Sequence, residues 1–234
     1  GQLLDMAAIT AAGRRAGAAV GWDLAHAIGN VPLRLHDWDA DFAVWCSYKY
    51  LCGGPGAVAG AFVHARHAHA VDLPRFAGWW GHEVATRFRM GPEFVPTPGA
   101  DGWQLSNGPV FAMAPLAAAL EVYDAAGMER VRAKSLALGA YARRRLHERL
   151  GARVAVVTPA GEASGCQLSL RLSAGRDAAR AAFERLTAAG VIGDWREPDV
   201  IRLAPAPLWN GYLDVERAVE ALAAALPAPG PAHG

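Results

Sequence analysis

The chain has 234 residues, enough for one large domain or a large and a small one. Hydrophobic residues make up 53% and charged residues 19%, which supports a sizeable core and excludes wholesale disorder. Lys and Arg total 23 against 22 Asp and Glu, so a formal net charge of +1 leaves no broad basic field for nucleic acid or an anionic membrane surface.

The opening stretch, GQLLDMAAITAAGRRAGAAVGWD, predicts a short helix through Met6, Ile9 and Ala12–Gly13, then a strand over 18–23. A helix that feeds a strand so directly reads as the second half of a βαβ unit. With no Met at position 1, the expectation is a fragment whose N-terminal part is missing, and no basic segment before an apolar run suggests a signal peptide. Two further apolar runs, 41–46 (DFAVWC) and 57–63 (AVAGAFV), are punctuated by Gly, Pro or Asp, as central strands of an α/β sheet are. Residues 72–108 are rich in Gly, Pro and Trp without a clear period and read as a long irregular segment of the kind that often carries function.

From Pro109 the texture changes. Met113, Leu116, Ala117, Leu120 and Tyr123 recur at helical spacing, with Gly127 as a stop. The uncharged stretch 102–120 contains Gln104, Ser106, Asn107, Pro109 and Pro115, a poor membrane span. A second helix over 128–150 carries Arg143, Arg144, Arg145 and Glu148 as a solvated face. Strands follow over 154–159 and 166–172, a helix over 177–189, a strand over 200–205 and a helix over 213–226 with Val215, Ala218, Val219 and Leu222 on one stripe. Strand–strand–helix–strand–helix reads as a small α+β domain, and the tail PAPGPAHG as frayed. The predicted division is therefore 1–112, part of a large α/β domain, and 113–234, a helical connection with a small C-terminal domain. Cys46, Cys52 and Cys166 form no disulfide framework, so a reducing cytoplasm is the default.

The sharpest constellation follows the predicted strands: Asp23-Leu24-Ala25-His26, Ser47-Tyr48-Lys49-Tyr50 and Gly53-Gly54-Pro55-Gly56. Ligands of open α/β sheets sit beyond the carboxyl ends of strands. An Asp at one strand end and a Lys at the end of its neighbour suit pyridoxal phosphate, the amine forming the Schiff base and the carboxylate keeping the pyridinium nitrogen protonated. His26 would orient that carboxylate or cover the ring. A strand-end Asp also serves turns and caps, and a lone Lys is usually solvated. The run His64, His67, His69 invites a metal, but no Cys or carboxylate stands at a familiar ligand spacing, and a solvated helix start reads as well; no metal is assigned. Cys46 and Cys52 read as packing thiols. Of the adjacent Trp79 and Trp80, at least one is expected to face a cleft or interface. Arg202, a charge in an apolar strand, needs an anion, which a substrate carboxylate or a nearby Asp or Glu supplies equally well.

The segments GWDLAHAIGNVPLRLHDWDADFAVWCSYKYL, GPGAVAGAFVH, GWWGHEVATRFRM, WQLSNGPV and IRLAPAPLWN together span most of residues 1–212 and resemble, in order and spacing, the C-terminal part of the kynureninase family. These are fold-type I enzymes of the aspartate aminotransferase superfamily. The resemblance implies an α/β fold: part of the large pyridoxal-phosphate-binding domain, with a mostly parallel sheet, followed by a small α+β domain. It implies that Lys49 is the Schiff-base lysine, that Asp23 pairs with the ring nitrogen, that His26 lies at the cofactor and that Tyr48 contacts the phosphate and is a candidate acid/base. Trp79 and Asn107 match cofactor positions that reach across a homodimer interface, His82 and Ser106 lie near substrate, and Arg202 binds the substrate's amino-acid carboxylate. The implied reaction is hydrolysis of L-kynurenine or 3-hydroxykynurenine to an anthranilate and L-alanine in the cytoplasm, with no nucleic acid or membrane partner. Two residues depart from the family pattern: Cys52 stands where Asn is expected, and Trp22 where Phe is. Another fold-type I activity such as a cysteine desulfurase, a non-catalytic fragment, and a metal-binding module using His64–His69 are the alternatives.

Overall fold

The computed structural model describes residues 1–226; the tail read as frayed lies outside them. The chain divides into two compact units, one of Asp5–Ala126 and one of Gly1–Leu4 with the chain from Gly127 onward.

In the first unit, helix α1 (Met6–Arg15) starts where Asp5 accepts the backbone N–H of Ala8 at 2.9 Å, an N-cap that satisfies one of the open donors of the first turn. Its Met6 and Thr10, four residues apart, point into the unit, and the Thr10 hydroxyl accepts the Trp22 indole N–H at 2.9 Å. Strands β1 (Gly21–Asp23), β2 (Phe42–Trp45) and β3 (Gly60–Val63) form a sheet in the order β1-β2-β3. β1 and β2 run parallel with Asp23 opposite Val44, whereas β2 and β3 run antiparallel with Val44 opposite Ala61. Each strand is shorter than its apolar run. The described part of the sheet is mixed rather than mostly parallel, because an apolar run marks burial and carries no information on direction. The expected irregular segment holds only short 3-10 turns, Arg87–Arg89 and Gly99–Trp103. Helix α2 (Val110–Ala126) closes the unit; it contains Pro115, and none of its residues is fully buried.

The second unit is built on α3 (Met128–Leu150), β4 (Val154–Val156), β5 (Leu168–Leu172), α4 (Arg176–Ala188), β6 (Asp194–Arg196), β7 (Val200–Leu203) and α5 (Tyr212–Ala225). Its four strands are antiparallel in the order β4-β5-β7-β6. Leu168, Leu170 and Leu172 alternate onto one face of β5 and join Ile201 of β7. Against that face pack Leu138, Ala142, Leu146 and Leu150 of α3, Ala179, Ala182 and Leu186 of α4, and Val215, Val219 and Leu222 of α5. The sequence missed β6, whose three residues, Asp-Trp-Arg, contain no apolar run. The predicted solvated face of α3 is also corrected: Arg145 turns to Glu216 of α5, with Nε 2.9 Å from both carboxylate oxygens.

No single helix among the described residues is long and apolar enough to cross a membrane.

Candidate active site

Parallel pairing of β1 and β2 brings their carboxyl ends side by side, and the predicted cofactor residues begin there. Asp23 is the last residue of β1. Its Oδ1 accepts the Ala25 N–H at 2.8 Å, an Asx turn that bends the chain off the sheet. Leu24 is anchored beneath, buried and hydrogen-bonded through its N–H to Val44 at 2.8 Å. The chain then winds one helical turn, Ile28 N–H to Leu24 and Val31 N–H to Ala27, and the Asn30 amide donates to the His26 carbonyl at 3.0 Å.

After β2 the chain coils just as tightly. The Gly53 N–H closes on the Ser47 carbonyl and the Cys52 N–H on the Lys49 carbonyl, both at 2.9 Å. The two turns place Lys49 Nζ 3.2 Å from His26 Nε2. Lys49 remains partly exposed, so its amine is reachable. Ser47 Oγ is buried and has no hydrogen-bond partner among the described residues. Tyr48 is about half exposed, and its ring centroid lies 5.8 Å from Lys49 Nζ. A hydrogen bond with Cys46 pushes the Tyr48 phenol above its usual value, so the hydroxyl stays protonated at neutral pH. Cys46, expected as a packing thiol, thus also bears on the Tyr48 phenol.

Trp79, His82, Ser106 and Asn107 come from two stretches of the irregular segment that lie against each other. A Cβ on Gly78 would stand 2.2 Å from the Leu105 Cα, and one on Gly81 would stand 2.8 Å from the Gln104 carbonyl oxygen, so the glycines of GWWG permit the approach. Trp79 is half exposed and packs edge-on against Trp80 and Phe88. Ser106 donates to Asn107 Oδ1 at 3.0 Å, and both residues are exposed. His82 is committed within the segment: Nδ1 accepts the Val95 N–H at 3.4 Å and Nε2 donates to Thr86 Oγ1 at 2.8 Å.

Arg202 lies in the second unit, on β7. The antiparallel register sets it directly opposite Asp194 of β6, and its Nε donates to Asp194 Oδ2 at 2.6 Å. Of the two anions the sequence left open, the structure holds the nearby carboxylate.

The histidine run resolves differently from the expected solvated helix start. His64 is buried and stacks on His36 with ring centroids 4.6 Å apart, His67 Nε2 lies 2.8 Å from Asp41 Oδ1, and Ala65–His67 is a single 3-10 turn. Among the described residues no group of three or more His, Cys, Asp or Glu is arranged to hold a metal ion. Cys52 adopts φ +59°, in the left-handed region that Asn tolerates better than other side-chain-bearing residues, which gives a physical reason for the Asn expected there.

The arrangement fits pyridoxal phosphate. A carboxylate and an amine stand at adjacent parallel strand ends, a histidine lies beside the amine, and a protonated phenol and an unclaimed buried hydroxyl flank it.

Residues 131–222 match the family described as the kynureninase C-terminal domain. Over 221 residues, 94% of its length, the chain is 61% identical to the kynureninase of Xanthomonas euvesicatoria pv. vesicatoria (strain 85-10) and 59% identical to that of Stenotrophomonas maltophilia (strain K279a). It covers 52% of each, so it spans about half the length of the curated kynureninases it matches. Its fold is also that of the cysteine desulfurase CsdA from Escherichia coli, with a TM-score of 0.76 at 19% identity over 96% of this chain and 56% of that one. A C-DES variant with glycine covalently linked to the PLP cofactor aligns with a TM-score of 0.67 at 18% identity, over 85% of this chain and 49% of that one. The expected α/β fold of fold-type I enzymes therefore holds, and these likenesses reach no further than the fold.

Proposed function

We propose that this chain supplies catalytic residues of a pyridoxal-phosphate-dependent kynureninase, which hydrolyses L-kynurenine or 3-hydroxykynurenine to the corresponding anthranilate and L-alanine. The observation that carries the reading is the placement of Asp23, His26 and Lys49 at one end of the β1–β2 pair, in a chain 61% identical to a kynureninase. In this reading residues 1–112 belong to the cofactor-binding domain, and 113–234 are the helical connection and the small domain.

When bound, the cofactor supplies an electron sink for negative charge at the substrate α-carbon. Asp23 would hold the ring nitrogen in its protonated form. Lys49 would hold the cofactor through its amine and would serve as the base for the substrate Cα proton. His26 Nε2, within hydrogen-bond reach of Lys49 Nζ, orients that amine. Water would add to the substrate γ-carbonyl, the Cβ–Cγ bond would break with Cγ leaving as the anthranilate carboxyl, and Tyr48 would deliver the proton that the β-carbon gains. Arg202 binds the substrate carboxylate by exchanging or sharing its Asp194 partner, and so fixes the orientation of the Cα–H bond. Trp79, Asn107, Ser106 and His82 complete the cofactor and substrate surroundings. The assembly is a homodimer in the cytoplasm, with Trp79 and Asn107 reaching the partner's site.

In the complete enzyme, Lys49→Ala abolishes covalent cofactor attachment and turnover of kynurenine, read as anthranilate fluorescence. A Lys49→Ala enzyme that still cleaves kynurenine at a near-normal rate would overturn the assignment. Arg202→Lys lowers kcat/KM at least tenfold, because the planar guanidinium fork is lost; a fall below about threefold would mark Arg202 as a partner of Asp194 only.

A further inference from the structure

We infer that Tyr123 is a positioning residue for the Lys49–His26 pair: its one hydroxyl fastens the turn after β1 to the turn after β2. Tyr123 lies on α2, 73 residues beyond Tyr50 and 94 beyond Gly29. Its phenolic oxygen is 2.9 Å from the Gly29 carbonyl and also in hydrogen-bond contact with the Tyr50 carbonyl. Gly29 sits three residues after His26, and Tyr50 directly follows Lys49. A phenol has one hydrogen, which lies between the two carbonyls in a three-centre bond. The contact therefore links the two backbones that carry Nε2 and Nζ, 3.2 Å apart.

The surroundings are shaped for this contact. Gly29 has φ +72°, and a Cβ there would stand 3.0 Å from the Tyr123 hydroxyl oxygen and 3.1 Å from the Leu51 nitrogen. Any larger residue would be strained in backbone and would crowd the hydroxyl off its acceptor. The inner ends of both turns are held by the sheet and by their own hydrogen bonds, Leu24 N–H to Val44 and Gly53 N–H to Ser47. Their outer ends have Tyr123 as a shared fastening. Tyr123 touches neither amine nor imidazole in these contacts, so it acts through them. Angstrom-scale misplacement of a reacting group costs orders of magnitude in rate, which makes such a fastening matter for chemistry as well as stability.

The inference rests on the proposed role of Lys49, and the test separates the two. The chain contains two lysines, Lys49 and Lys134, and Lys134 donates to the Pro207 carbonyl in the other unit, which makes it an internal reference. The protein is exposed to pyridoxal phosphate, reduced with borohydride and digested, and labelling at each lysine is measured by mass spectrometry over time. Wild-type protein labels Lys49 faster than Lys134. Tyr123→Phe, which deletes only the oxygen, lowers the Lys49:Lys134 rate ratio about tenfold. Gly29→Ala, which keeps the phenol and displaces its acceptor, lowers it in the same direction. In the complete enzyme Tyr123→Phe lowers kcat for kynurenine with KM changed less than twofold. Equal labelling of both lysines in wild type sinks the proposed role of Lys49. Preferential Lys49 labelling that neither Tyr123→Phe nor Gly29→Ala alters, in variants whose circular dichroism is native, overturns the positioning role alone. If Tyr123→Phe loses its fold, the Gly29→Ala ratio decides.

Discussion

Asp41 shows how one carboxylate organises the end of the sheet opposite the candidate site. It stands just before β2 and is nearly buried. Its Oδ2 accepts the Val20 N–H at 2.7 Å, while Oδ1 meets Arg66, His67 Nε2 at 2.8 Å and Arg14 Nη1 at 3.3 Å. Burial by itself would raise its pKa, but the hydrogen bonds from Val20, Arg66 and His67, with the Arg66 charge, hold it far below the ordinary carboxylate range. A folded-state pKa below the unfolded one means that the stabilisation is fully present above about pH 4 and is lost as pH falls below that value. Asp41→Asn keeps an acceptor for Val20 but removes one of the two carboxylates that Arg66 and Arg14 share, leaving them Asp39. The expected loss is about 2 kcal/mol at pH 7. Denaturant titrations of both proteins between pH 7 and pH 2 check this: the wild type loses stability in acid and the variant loses less, so the gap narrows. A gap that is constant with pH would show that packing, and not the charge, carries the effect.

Packing of α3 and α5 onto the β4–β7 sheet dominates the second unit. Leu222 of α5 is fully buried between α3, α4 and the Ile201 face. Leu222→Ala should therefore cost about 3 kcal/mol, the transfer loss plus a cavity that the surrounding leucines cannot close. A urea midpoint that barely moves would mean the helix can shift inward. This helix is legible in the sequence, because Val215, Val219 and Leu222 recur at a 3- to 4-residue spacing. The strand-end placement of Asp23 and Lys49 was readable for a similar reason: short apolar runs ending in a polar residue mark buried strands. Direction and pairing were not. Nothing in AVAGAFV says that β3 turns back against β2, and Asp194-Trp195-Arg196 has no apolar signature. Yet the register of β6 sets Asp194 beside Arg202, a neighbour that the sequence alone does not reveal. Tyr123 was legible as a member of a helical stripe, while its hydroxyl's two acceptors come from turns 73 and 94 residues away.

For the molecule as a whole, the prediction is that these 234 residues do not cleave kynurenine by themselves. The chain covers about half of its kynureninase relatives. Phe42 and Val44 leave one face of β2 about half exposed, at 46% and 47%, and β1 pairs only with β2 among the described residues. Helix α2 presents Val110 and Phe111 at 74% and 94% exposure. A bare apolar sheet face, an open strand edge and an apolar helix in water favour self-association over a rigid site. Rigidity is what the proposed chemistry needs, since Lys49 and His26 must stay within hydrogen-bond reach of each other for His26 to orient the amine. Lys49 would still react with an aldehyde, so labelling alone does not report catalysis. The deciding measurement is anthranilate fluorescence with kynurenine and saturating pyridoxal phosphate, on two samples. One is this chain alone; the other is this chain joined to the part of the Xanthomonas euvesicatoria kynureninase that it does not match. Turnover in the joined protein, with at least a hundredfold less in the chain alone, is the expected result. Comparable rates in both would show that the set from Asp23 to Arg202 is sufficient and that the exposed faces of β2 and α2 have no bearing on the reaction.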